Sequence, residues 1–308
     1  MTAISPAVKS ILTEPRALGS ASIDFTRRFI LEEFTPLFHT SSYASLPDEV
    51  RLRYNQLHAL YFNEQVAFFE QEMLSPALRA LLRSSLPPLL KAKVRLFHQE
   101  EEKHTLRFRT LNLSCAPEFY RGGPCYFVCI PAPLLAMLRA MSARPLGFPL
   151  LIWLALLQEE RSLYFSKQCL ERAAELEPNF VEMHRAHLAD EVGHVAWDEQ
   201  LLEWLWPSTG LLTRWLNARL LIWMVREFFR LPKRSGLRVV DQLVKEHPSL
   251  DPRTLRRGMR ELATKPGYSE TLYSREITPR SFARFDLTPE FALLARKLPG
   301  YRQPGAAQ

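Results

Sequence analysis

Two short stretches of this sequence repeat one pattern of carboxylates and histidines. HQEEEKH contains Glu101 and His104 as E-x2-H, and HRAHLADEVGH contains Glu191 and His194 in the same arrangement. Residues three or four positions apart lie on one face of a helix, so the two side chains of each pair point the same way. A single E-x2-H arises by chance in any Glu-rich helix. Two copies predict a site that two helices build together.

Each motif has a further glutamate at the same distance upstream. Glu70 lies thirty-one positions before Glu101, and Glu160 lies thirty-one positions before Glu191. When two antiparallel helices place carboxylates at the same height, the turn between them falls midway. Helix breakers stand at both midpoints, SSLPP in the first case and Glu-Pro-Asn in the second. The sequence therefore predicts two helical hairpins whose four carboxylates meet.

The composition favours an all-α protein, because glycine is scarce and Leu, Ala, Glu and Arg dominate long runs. The predicted helices have tight turns after the first and third and a long crossing between the second and third. This order is typical of a ferritin-like four-helix bundle. Additional peripheral helices are predicted around it. The crossing, 112–133, includes a short extended run at CYFVCI. Helices are predicted over residues 46–74, 89–111, 148–176 and 180–206.

The predicted bundle spans residues 45–210. An N-terminal arm with a short helix occupies 1–44, and further helices with an irregular tail occupy 211–308, packed on the same domain. The start of the chain does not resemble a signal peptide, and FPLLIWLALL is half a membrane span that reads as a buried core helix. The four scattered cysteines contain no C-x2-C pair. We therefore expect a cytoplasmic protein with no membrane partner.

The net charge of +7 arises partly from basic clusters late in the chain, RLPKRSGLR and PRTLRRGMR. Such clusters are usually solvated helix faces, and a role in steering an anionic substrate is also open. We expect no nucleic-acid partner. The chain could form a homodimer.

The ligand types favour a dinuclear site for two iron ions, with manganese as a substitute. Carboxylates bridge and neutralise two cations, and an imidazole terminates each. Zinc fits less well, since the sequence has no thiolate set and no H-E-x2-H. Glu100 and Asp190 stand directly before the motif glutamates. Each is predicted to accept the ring N–H of the histidine in the opposite motif.

Three ligand choices have rivals. Adjacent helix residues point about 100° apart, so only one of Glu159 and Glu160 can face the site, and the offset selects Glu160. Glu64 is the rival of Glu70. His187, one turn before Glu191, is either a third imidazole ligand or a histidine packed in the core.

The motif residues, the two upstream glutamates and His187 form a set that resembles the ligands of the p-aminobenzoate N-oxygenase family, which are ferritin-like non-haem di-iron enzymes with a third histidine ligand. FFEQEMLSP resembles the first metal-binding helix of that family, and the resemblance covers about residues 45–206. It implies O2 activation at a di-iron centre, an external electron donor, and oxidation of an amine to the hydroxylamine, nitroso or nitro level on a small biosynthetic intermediate. The metal ligands it implies are Glu70, Glu101, His104, Glu160, His187, Glu191 and His194.

Two other functions remain open. A ferritin-like protein that stores or oxidises iron would share the motifs, although the hundred residues after Trp206 exceed a compact storage bundle. A radical-generating or desaturase-type di-iron subunit would share them as well. Iron stoichiometry and substrate-dependent O2 uptake separate these functions from an oxygenase.

Overall fold

The structure, a computed structural model, describes residues 22–226, 234–262, 268 and 270–298. Over these residues the chain is helical and contains no strand, and an isolated bridge joins Arg28 to Leu176. The predicted all-α class is confirmed. Outside the described residues lie the arm at 1–21, residues 227–233 with part of the RLPKRSGLR cluster, residues 263–267 and 269, and the last ten residues.

Four long helical segments build the bundle, and each pair forms a hairpin. The first pair comprises α1 (Asp48–Phe69), which continues through a π-helical turn (Glu70–Leu74) into α2 (Ser75–Leu82), and then α3 (Pro88–Cys115). The crossing contains a 3-10 turn (Pro117–Tyr120) and α4 (Ala132–Ser142). The second pair comprises α5 (Leu150–Glu171), a 3-10 turn (Ala173–Glu175) and α6 (Pro178–Ser208).

Shorter helices surround the bundle. Before it lie 3-10 turns at Glu32–Phe34 and Pro36–His39. After it come α7 (Leu211–Met224), α8 (Arg234–Glu246), α9 (Pro252–Glu261), α10 (Pro279–Asp286), a 3-10 turn (Pro289–Phe291) and α11 (Leu294–Lys297). Within the bundle, α1 packs along α3 and α5 packs along α6, and α3 also packs on α6. Of the outer helices, α8 covers α1, while α7 and α10 cover α5.

The first helix does not end at Ser75-Pro76, as the sequence predicts, but changes type. A π-helical turn runs from Glu70 to Leu74, and α2 follows directly. Pro76 lies in the first turn of α2, directly after the π turn, and its missing backbone N–H removes one hydrogen bond from the continuous helix. A π turn inside an α-helix alters which side chains face inward, and such turns are frequent at functional sites. Glu70 is the first residue of this one.

The crossing between the two hairpins is irregular over CYFVCI, and the extended strand-like run predicted there is absent from the described residues. A buried carboxylate, rather than a neighbouring strand, accepts the backbone hydrogen bonds of this segment. The backbone N–H groups of Tyr126, Phe127 and Val128 donate to the two oxygens of Glu64, at 3.0, 2.8 and 2.8 Å.

The core is continuous through the bundle. The stretch Leu150–Leu157 is buried at every position, which confirms that FPLLIWLALL is a core helix. A helix that is apolar on all sides is enclosed by its neighbours, here α6, α7 and α10. Among the described residues, no helix combines the length and the apolar character that crossing a bilayer requires.

Candidate metal centre

The two E-x2-H motifs meet at the centre of the bundle. Glu101 and His104 on α3 face Glu191 and His194 on α6, and all four side chains are buried. Each offers one donor atom that lies within 4.8 Å of the donor atoms of the other three. His194 Nδ1 lies 3.0 Å from Glu101 Oε1, and His104 Nδ1 lies 3.3 Å from Glu191 Oε1. The prediction that the two helices share one cluster is confirmed in geometry.

A second group overlaps the first. Glu70, His104 and His187 also bring donor atoms within 4.8 Å of one another. His187 Nε2 lies 2.6 Å from Glu191 Oε1 and 3.8 Å from Glu70 Oε1. The two groups share His104, and each of them could hold a metal ion.

The residues before each motif glutamate orient the opposite histidine, as the sequence predicts. His104 Nε2 lies 3.0 Å from Asp190 Oδ2, and His194 Nε2 lies 3.0 Å from Glu100 Oε2. A carboxylate accepts the N–H of each Nε2, so the proton is held on the outer side of the ring. Nδ1 of each ring then faces the cluster, where it would offer its lone pair to a metal ion.

The atoms that face the cluster make no hydrogen bond of ordinary geometry within the described part of the chain, and several lie at ion-pair distance from one another. These buried atoms are Glu101 Oε1 and Oε2, His104 Nδ1, His187 Nε2, Glu191 Oε1 and Oε2, and His194 Nδ1. Buried polar groups are almost always satisfied, because leaving one unpaired costs about 1–3 kcal/mol. These seven donor atoms, all oxygen or imidazole nitrogen, point into one space and could hold a metal ion.

The pKa values of the clustered residues reflect an excess of negative charge in the site. Burial, followed by the charge of Glu101, raises the pKa of Glu70 to about 7. Burial alone would lower the pKa of His194, but the carboxylates of Glu191 and Glu101 raise it to about 11. Imidazolium charges thus stabilise the carboxylates here. Divalent cations would displace those protons, since a metal ligand must present an unprotonated nitrogen.

The structure corrects the choice between the adjacent glutamates of α5. Glu160 points away from the cluster and accepts hydrogen bonds from the backbone N–H groups of Arg280 at 2.7 Å and Ser281 at 2.6 Å. It therefore caps the first turn of α10, where the partial positive charge of a helix N-terminus favours a carboxylate. The prediction of Glu160 as a metal ligand is wrong in this geometry.

Glu159 takes the place predicted for Glu160. It is buried and lines a cavity together with Glu70 and His187. Burial, followed by the charge of Glu191, holds its pKa well above the ordinary range. A carboxyl that remains protonated beside another carboxylate marks a position where a cation would stabilise the charged form.

The structure also distinguishes Glu70 from its alternative Glu64. Glu70 reaches the cluster, and its Oε2 accepts a hydrogen bond from Thr105 Oγ1 at 2.9 Å. Glu64 lies outside the cluster, where it holds the crossing. His184 lies one turn beyond the cluster, with its Nδ1 at 3.2 Å from Ser166 Oγ.

Asp198 is a buried residue near the cluster that the sequence analysis missed. Both of its oxygens lack a hydrogen-bond partner among the described residues, and burial raises its pKa well above the ordinary value. It lies four positions after His194 on the stripe that carries His187 and Glu191, so its spacing was the available signal.

Two openings reach the cluster from different sides. A cavity of about 40 Å³, lined by Glu70, Glu159, Ser162 and His187 together with aromatic residues of α1, lies between α1 and α5. An open groove of about 670 Å³ lies outside the π turn and ends on Glu70, Glu101 and Thr105. The first has room for a water-sized molecule and the second for a small organic molecule.

Comparison with models of known protein families finds no match to this chain, and comparison with curated proteins finds none either. The resemblance to the p-aminobenzoate N-oxygenases therefore stays a prediction based on the motifs.

Proposed function

We propose that the protein is a di-iron oxygenase that uses O2 to oxidise an amine nitrogen of a small molecule. The observation that carries the proposal is the set of seven buried donor atoms that make no hydrogen bond of ordinary geometry, six from the motif that occurs twice and one from His187. The residues that would hold the two ions are Glu70, Glu101, His104, Glu159, His187, Glu191 and His194.

The two iron ions, when bound, would supply the electrons and Lewis acidity that O2 activation requires. The protein's part is to fix the donor atoms. Asp190 and Glu100 hold the protons of His104 and His194 at Nε2, so each Nδ1 is available as a ligand. Thr105 donates to one oxygen of Glu70 and leaves Oε1 directed at the cluster.

Substrate access follows from the sizes of the two openings. The groove outside the π turn has the volume of an ordinary small-molecule pocket, and its floor is formed by the predicted ligands Glu70 and Glu101. The cavity beside His187 is much smaller, at about 40 Å³, and suits O2 or water. We therefore assign the amine to the groove and O2 to the cavity.

The extra imidazole favours amine oxidation over iron storage. His187 places a third histidine in the cluster, and this ligand together with FFEQEMLSP carries the resemblance to N-oxygenases. Hydroxylation of an amine places one oxygen atom of O2 on nitrogen, and two electrons from an external donor reduce the other atom to water. The proposal therefore requires a separate reductant.

Anaerobic reconstitution with iron(II), followed by mixing with O2, a chemical reductant and a panel of arylamines, tests the proposal. We expect two iron ions per chain, O2 uptake that depends on the amine, and a product heavier by one oxygen atom. Glu191→Ala, which removes the carboxylate between the two groups, should abolish both uptake and product.

Three results would contradict the proposal. One zinc ion per chain with no second ion would exclude the dinuclear site. Many iron ions per chain would indicate storage. Two iron ions with O2 uptake that no amine changes would retain the metal centre and exclude the oxygenase activity.

A further inference from the structure

One face of α7 exposes a band of large apolar side chains. On a helix that turns 100° per residue, the band lies within an arc of about 140°. It comprises positions 211, 212, 215, 216 and 223. The exposed fractions are 78% for Leu211, 72% for Leu212, 46% for Trp215, 47% for Leu216 and 38% for Trp223. A contiguous apolar surface of this kind is uncommon on proteins without a binding partner.

The rest of α7 is firmly attached to the bundle, so the band cannot turn inward. Ala218, Leu221 and Met224 on the opposite face are buried. Asn217 fixes the helix to the start of α5, because its side chain accepts from Leu150 N at 3.2 Å and donates to Gly147 O at 3.1 Å. The helix therefore turns its apolar face away from the described part of the bundle.

Positive charge accompanies the apolar band. The described residues 211–226 contain three arginines and no acidic residue, a net charge of +3. Arg219 lies in the middle of the apolar band, with its guanidinium 4.7 Å from the Trp215 ring centroid. α7 itself contains no acidic residue.

We propose that α7 docks the protein on the surface of an anionic lipid bilayer. Leucine side chains would enter the acyl boundary, tryptophans would lie at headgroup level, and the arginines would contact lipid phosphates. An amphipathic helix whose apolar face also carries or borders basic residues holds a protein at such a surface without crossing it. This departs from the expectation of no membrane partner, and it does not depend on the proposed oxygenase activity.

Two other occupants fit the face less well. In a symmetric dimer through α7, Arg219 would approach the same positively charged band of the second copy, and α7 contains no acidic residue to neutralise it. RNA would neutralise the arginines but would leave Leu211 and Leu212 in water. An anionic bilayer satisfies both the apolar and the charged component.

Vesicle co-sedimentation of the full-length chain tests this. We expect binding to vesicles that contain phosphatidylglycerol, weaker binding at high salt, and little binding to vesicles of phosphatidylcholine alone. Leu212→Glu should weaken binding at least about tenfold, or about 1.4 kcal/mol. Leu287→Glu, which makes the same change at a residue that is 84% exposed outside α7, should bind like the wild type.

The proposal fails if the wild type binds neither kind of vesicle, binds both equally, or loses binding equally in the two variants. A dimer that Leu212→Glu dissociates, without vesicle binding, would assign the face to a second copy. Tighter binding to RNA than to vesicles of equal phosphate content would assign it to nucleic acid. Circular dichroism of both variants confirms that each is folded.

Discussion

Glu159 and Glu160 are adjacent, but they have opposite environments. The carboxyl of Glu159 lies beside Glu191 in the cluster, whereas both oxygens of Glu160 are satisfied by backbone N–H groups of α10. The 100° angle between neighbouring helix positions produces this difference, since α5 is enclosed by α6 on one side and by α10 on another.

Substitution of each residue by glutamine should therefore have different effects on iron binding and stability. We expect Glu159→Gln to lose iron and amine oxidation with little change in thermal stability, because a neutral amide cannot balance metal charge. Glu160→Gln should keep two iron ions but lose about 0.5–2 kcal/mol of stability through the weakened cap. Iron analysis and thermal unfolding of both variants measure this, and iron loss in Glu160→Gln alone would reverse the assignment.

His187 distinguishes the proposed activity from that of a plainer di-iron bundle. As a third imidazole ligand, it would tune the metal that Glu191 also binds and would not be needed to hold both ions. We expect His187→Ala to retain most of its iron but to lose amine-dependent O2 uptake. Rapid mixing of the iron-loaded variant with O2, followed by absorbance and product mass, measures this.

His184→Ala is the matched control for that experiment. His184 is buried on the same helix one turn earlier and bonds Ser166, as His187 bonds Ser162 at 3.2 Å. Each truncation should cost about 1–3 kcal/mol of stability through lost contacts. Wild-type oxidation by folded His187→Ala would make His187 a packed core residue.

Glu64 connects α1 to the crossing that joins the two hairpins. Besides the three backbone donors at 126–128, it accepts a hydrogen bond from Tyr120 OH at 3.0 Å. Burial raises the pKa of Glu64, and these donors partly offset the effect. One side chain thus replaces the partner strand that an irregular segment lacks.

Removing this carboxylate should loosen the crossing without affecting the ligands directly. We expect Glu64→Ala to lower the free energy of unfolding by about 2–4 kcal/mol, because it leaves backbone N–H groups without acceptors. Glu72→Ala, which removes a surface pair with Arg139, should cost less than about 1 kcal/mol. Chemical denaturation gives both values, and equal losses would show that Glu64 does not anchor the crossing.

His58 links the stability of the whole bundle to pH. It is buried between the rings of Tyr54 and Tyr61, and burial, with a smaller contribution from the charge of Arg161, lowers its pKa to about 3. The folded protein therefore keeps this ring neutral, while the unfolded chain protonates it below about pH 6.5. Since the unfolded state binds more protons, stability from this group falls as the pH falls from about 6.5 towards 3.

We expect the loss from His58 to reach about 3 kcal/mol at pH 4 relative to pH 7.5. His58→Gln should be less stable than the wild type near pH 7.5 and should show a smaller decline on acidification. His247→Gln, at a half-buried position after α8, is the control. Denaturant unfolding across this pH range measures the slopes, and parallel slopes for wild type and His58→Gln would contradict the account.

The sequence by itself determined the hairpins and the meeting of the two motifs. Helical periodicity places Glu101 with His104 and Glu191 with His194, and the breakers at the midpoints set the turns that bring the helices together. The orienting roles of Glu100 and Asp190 followed from the same periodicity. These features are predictable because they depend on spacings within one helix or one hairpin.

Only the tertiary structure decided between Glu159 and Glu160, gave Glu64 its role and introduced the π turn at Glu70. The partners of Glu160 are Arg280 and Ser281, which lie 120 and 121 positions away along the chain. Glu64 meets its backbone donors more than sixty positions later. The rotation of a helix about its axis depends on what packs against each of its faces, and local periodicity contains no information about distant segments.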